Sequence, residues 1–186
     1  MVMQTAKRLF TTEEYHRMAQ NGVLTEDDRV ELIEGEVLEM SPIGSRHAAC
    51  VNRLTQFLSS QLGRRAIVSV QNPIHLGARS EPQPDLALLH PRTDFYVDAH
   101  PEPDDVLLVI EVAETSQDSD RAVKIPLYAK AGIPVVWLVD LEGEGVQAHT
   151  KPSPHGYGEI RQLWRGQVVT LETFPDLQIS VTDLLG

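Results

Sequence analysis

At 186 residues, 41% hydrophobic and 23% charged, the chain fits one ordinary domain with a real core, spanning residues 1–186. Its formal net charge of −11 opposes nucleic-acid binding by overall field, so contact with phosphate has to be local, through a few arginines or a bound divalent cation. No apolar run approaches the roughly 20 residues of a membrane span, and the start lacks a secretory signal, so a cytoplasmic protein is expected.

In chain order, "TTEEYHRMAQ" predicts a short helix capped by Thr11 or Thr12, with acids in its first turn. "RVELIEGEVLEM" predicts a hairpin turning at Gly35. "SRHAACVNRLTQFLSSQLG" carries the strongest helical pattern, with Ala48, Val51, Leu54, Leu58 and Leu62 on one face and Gly63 at the end. Cys50 is the only cysteine, which excludes an intrachain disulfide or a cysteine-based zinc cluster.

"AIVSV", "PIHL" and "DLALLH" read as strands, and "RTDFYVDAHPEPDD" as a proline-punctuated loop. "VLLVIEVAE", "SDRAVKIPLYAKAG" and "VVWLVD" form a strand–helix–strand crossover whose two strands are expected to be parallel neighbours. Asp118 and Asp120 suit the start of that helix, whereas Pro126 must either lie near its beginning or kink it. "GVQAHT", "GEIRQLW" and "QVVTLE" then predict antiparallel strands. The sum is an α/β or α+β domain with a mixed central sheet.

Chemistry concentrates in the middle of the chain. Asp85 follows Pro84 at the start of one strand, and Glu111 sits in a strand apolar on both faces. A carboxylate there is costly unless a cation or metal pairs with it. If the two strands pair, Asp85 and Glu111 bring two repelling carboxylates to one locus, which a hard ion such as Mg²⁺ relieves. With Lys124 from the following helix, these groups suffice for metal-assisted phosphodiester hydrolysis. A structural ion pair for Glu111 and a strand-cap role for Asp85 are the plainer readings. The other histidines, His16, His75, His90, His100, His149 and His155, show no ligand-like spacing and receive no role.

The ordered text "PQPDLALL…LLVIEVAETS…DRAVKIPLYAKAGIPVVWLVD" resembles the PD-(D/E)xK, restriction-endonuclease-like superfamily. More narrowly it is similar to the bacterial Uma-type restriction endonucleases, and "VELIEGEVLEMSPIGSRH" extends the likeness over nearly the whole chain. The resemblance implies Asp85 and Glu111 as metal ligands, the backbone carbonyl of Val112 as a third, and Mg²⁺ or Mn²⁺ as cofactor. Ala113 departs from the motif, standing where its lysine belongs, and Lys124 resembles a migrated substitute. Glu34 and His47 match positions that the family brings toward the site, and Gln71 is a weaker candidate.

These readings lead to a metal-dependent endonuclease acting on DNA, for which the resemblance implies 5′-phosphate and 3′-hydroxyl ends. A homodimer is expected from the short C-terminal strands, and two sites would suit the two strands of a duplex. Two alternatives stay open: a catalytically silent module of the same fold kept for dimerisation or protein binding, and a hydrolase of another phosphorylated substrate. The absence of a GxxxxGK[ST] loop argues against nucleoside-triphosphate chemistry. Arg46, Arg53, Arg64 and Arg65 are the nearest basic residues for nucleic acid.

Overall fold

In the computed structural model, which describes residues 6–25, 27–114 and 119–186, the elements in chain order are α1 (Thr12–Gln20), β1 (Val30–Ile33), β2 (Glu36–Glu39), α2 (Ser45–Leu62), β3 (Ile67–Val70) and β4 (Leu86–Leu89). There follow β5 (Val106–Ala113), α3 (Ser119–Ala131), β6 (Val135–Asp140), β7 (Gly145–Ser153), β8 (Gly156–Trp164), β9 (Val168–Leu171), β10 (Phe174–Ser180) and α4 (Val181–Leu185). Asp118 lies outside the described residues.

Six strands form a central sheet in the order β3-β4-β5-β6-β7-β8. Only β5 and β6 are parallel, Glu111 lying opposite Leu138, and the helix α3 makes the crossover between them. All other neighbours are antiparallel, so the sheet is mixed, as the sequence predicts.

Local chemistry explains the flanking elements. Thr11 and Glu14 close a reciprocal capping box at the start of α1. The β1–β2 hairpin turns through Glu34 and Gly35, both at positive φ (48° and 87°), the mirror-image turn that matches strand twist. A β-carbon on Gly35 would meet the Leu9 β-carbon at 2.8 Å.

Alternation along β5 assigns its two faces. Leu108, Ile110 and Val112 pack with Cys50, Val51, Leu54 and Leu58 of α2, together with Val169, Ile179 and Leu184 from the β9–β10 hairpin and α4. Val109 packs on the other face with Ala87, Val136, Ile133 and Tyr128. Glu111, two residues on, therefore points toward α3.

One expectation fails. "PIHL" is extended but joins no ladder: Ile74, His75 and Leu76 donate their amides to Pro82, Pro101 and Ser80, all in loops. Of the two readings of Pro126, a position near the helix start is excluded: α3 runs from Ser119 through the proline, so Lys124 lies within it. The C-terminal strand β10 and the short helix α4 carry too few periodic residues to have been predicted.

Candidate active site

Asp85 stands one residue ahead of β4, just past the last ladder pair, Leu86 opposite Ile110. Beyond that pair the Val112 amide has no strand partner on this side. It donates instead to Asp85 Oδ2 at 2.9 Å. His47, in the first turn of α2, reaches the same oxygen through Nε2 at 3.0 Å, and Gln71 Nε2 lies 3.4 Å from Oδ1. Gln71 leaves β3 at φ 51° and its own amide donates to the Asp85 carbonyl. Three segments thus fix one carboxylate.

Glu111 is buried in the sheet, and its Oε1 accepts from the Tyr128 hydroxyl at 2.7 Å. Lys124 Nζ lies 3.8 Å from the same oxygen. Lys124 and Tyr128 are four residues apart on α3 and so share one helical face, which lies over Glu111. Lys124, only 6% exposed, forms an ion pair with Glu31 Oε2 at 2.9 Å, and Glu31 is itself 3% exposed. Glu31 Oε2 also accepts the Gln83 amide at 2.9 Å, which anchors the segment leading to Asp85.

Charge balance shapes protonation here. Burial drives the Glu111 carboxyl up to about 7; Lys124 opposes that rise and Asp85 adds to it. The hydrogen bond to Asp85 raises the His47 imidazole, against the opposing effect of burial. Burial and the Glu111 charge push the Tyr128 phenol well above its usual range, so it remains a donor.

The structure brings Asp85, Glu111, Lys124 and His47 together around one cavity of about 120 Å³. Val112 lines it too. Its amide faces Asp85, and because the N–H and C=O of a strand residue point to the same side, its carbonyl faces that side as well. Glu34 is the exception and a correction. It occupies the exposed hairpin turn, pairs with Lys130 at 3.4 Å and lines a different depression. Glu31, three residues earlier in β1, takes the inward place. Strand alternation could have pointed to Glu31, and the four-residue spacing from Lys124 could have pointed to Tyr128.

The donor set fits a hard divalent cation. Among the described residues lining the cavity, Glu31, Asp85, Glu111 and Glu114 outnumber the cations Arg29 and Lys124. Burial holds the Glu111 carboxyl up, and the nearby Asp85 charge adds to that cost. Oxygen ligands of this kind suit Mg²⁺ or Mn²⁺.

The arginines singled out from the sequence are largely tied up. Arg46 bonds the Leu141 carbonyl, Arg53 the Leu184 and Leu185 carbonyls, and Arg65 the Asp176 carboxylate. Arg29, at the cavity, was not foreseen. No helix among the described residues is long and apolar enough to cross a membrane.

Residues 12–182 match the profile of the Uma2 family, described as "Putative restriction endonuclease". Among solved structures, one described as "a putative nuclease belonging to DUF820", from Anabaena variabilis, is similar to this chain with a TM-score of 0.73. The two share 20% sequence identity over 95% of this chain and 97% of that one, a likeness that shows the nuclease-type fold. No curated protein matches the chain.

Proposed function

Since the chain belongs to the Uma2 family, we propose that it is a Mg²⁺- or Mn²⁺-dependent phosphodiesterase that cuts DNA. The observation that carries this reading is the convergence of Asp85, Glu111 and the buried Lys124 on one acidic cavity. Asp85, Glu111 and the Val112 carbonyl would hold the cation, which when bound activates water and offsets phosphate charge.

The remaining roles belong to the chain itself. The Val112 amide and His47 aim the Asp85 carboxylate, and Tyr128 aims that of Glu111. Glu31 holds Lys124 within reach of Glu111, where its ammonium offsets charge developing on the phosphoryl oxygens. His47 Nδ1 is buried without a hydrogen-bond partner among the described residues, and Nε2 is the ring nitrogen that meets Asp85. A homodimer would present two such sites to the two strands of a duplex.

One observation favours a second reading, a catalytically silent module. Lys124 lies nearer Glu31 than Glu111, and Ala113 leaves the motif's own lysine position empty of charge. Supercoiled plasmid separates the two. The proposed nuclease nicks or linearises it in Mg²⁺, and Asp85→Ala and Glu111→Ala proteins do not. Equal cleavage by wild type and Asp85→Ala would refute the assignment, and no cleavage by any of them would favour the module.

A further inference from the structure

Beside the β1–β2 hairpin, and outside the lining of the acidic cavity, three segments without ladder pairing meet around another buried acid. Glu81 is 3% exposed and is held by an isolated bridge to Leu32, its amide donating to the Leu32 carbonyl at 2.7 Å. His16, from α1, places Nε2 2.8 Å from Glu81 Oε1. His75, from the extended segment before Gly77, places Nδ1 3.3 Å from Oε2. His100, in the loop before β5, lies edge-on to His16 with ring centroids 6.2 Å apart. One ligand atom each from His16, Glu81 and His100 lies within 4.8 Å of the others.

A buried carboxylate needs compensation. Among the described residues, the ion-pair partners of Glu81 are the two imidazoles, which carry charge only when protonated. A divalent cation supplies charge without that requirement. Two imidazole nitrogens and one carboxylate oxygen make a set that zinc prefers, unlike the all-oxygen set at Asp85 and Glu111. Ligands around tetrahedral zinc sit about 3.4 Å apart, so modest rotations of two solvent-accessible rings would close the group. His75 would then orient the carboxylate from its other oxygen, as outer partners of metal ligands do.

We infer that His16, Glu81 and His100 form a second metal site, selective for zinc-like transition ions, that clamps α1 and the loop before β5 onto the β1–β2 hairpin. The site is separate from the proposed nuclease centre and does not depend on that reading.

The test uses the full Asp85→Asn chain, so that ions at the acidic cavity contribute least. Calorimetric titration with Zn²⁺ should show one ion per chain, and Co²⁺ should give the visible absorption of a four-coordinate complex. Adding His16→Ala and His100→Ala should weaken Zn²⁺ binding at least tenfold and abolish the cobalt band. The same ion should raise the unfolding temperature of the Asp85→Asn chain but not of the triple variant. Because His100 is exposed, His100→Asn alone serves as a variant whose folding is secure, and it should also weaken binding. Zn²⁺ binding unchanged in these variants, or no binding by the Asp85→Asn chain, would overturn the inference.

Discussion

Tyr128 donates its hydroxyl to Glu111 at 2.7 Å across the interface between α3 and β5, with both side chains buried. This bond gives the carboxylate in an apolar strand a fixed direction, and it favours the charged form. Tyr128→Phe keeps the packing and removes the donor. The variant should lose about 2 kcal/mol in urea unfolding, the worth of a hydrogen bond to a charged group. Its Glu111 should also hold a proton to higher pH than in the wild type. Unchanged stability would mean that the bond has no net value.

Protonation of Glu111 sets a second expectation. Its carboxyl is raised from an ordinary value of 4.5 to about 7, so between those values the folded chain holds a proton that the unfolded chain has released. Stability from this group is full below 4.5 and is lost as pH rises toward 7. His47, also raised, contributes in the same direction, its share being lost as pH rises through its elevated folded value. In a chelating buffer, thermal stability should therefore decline from pH 5 to pH 8. Glu111→Gln should flatten the decline and exceed wild type at pH 8, while Mg²⁺ should stabilise wild type most at that end. An equally steep decline in Glu111→Gln would contradict the assignment of the shift.

Glu31 and Glu34 sit three residues apart in one hairpin and should behave oppositely. Glu31→Ala takes from a buried lysine an ion-pair partner 2.9 Å away and should cost about 3 kcal/mol. Glu34→Ala removes an exposed ion pair and should stay within about 0.5 kcal/mol of wild type, with nuclease activity intact. Denaturant titration and plasmid cleavage on the two variants would check both halves.

That pair also shows how much the sequence could convey. Period and chain order made the mixed sheet, the parallel β5–β6 pair and the capped α1 legible, because burial on known faces writes itself into spacing. Glu111 and Asp85 stand out for a related reason, one breaking and one bordering an apolar strand, whereas His47 and the role of Lys124 come from the family resemblance. Glu34 enters through the family resemblance alone, since an acid beside a hairpin glycine is unremarkable, and Glu31 looks like any polar residue of a short strand. Tyr128 reads as ordinary core until its spacing from Lys124 is considered. The His16–Glu81–His100 group was invisible, since its members come from three segments and only tertiary contacts unite them. "PIHL" misled because apolar, β-branched text at a loop carries the composition of a strand without a partner.

That Asp85 and Glu111 share one divalent cation is tested most directly by a crystal soaked in Mn²⁺. An anomalous peak should stand between the two carboxylates and be absent from an Asp85→Asn crystal treated alike. A wild-type crystal with no peak there, its Lys124 still paired to Glu31 and Glu111 still bonded to Tyr128, would contradict it.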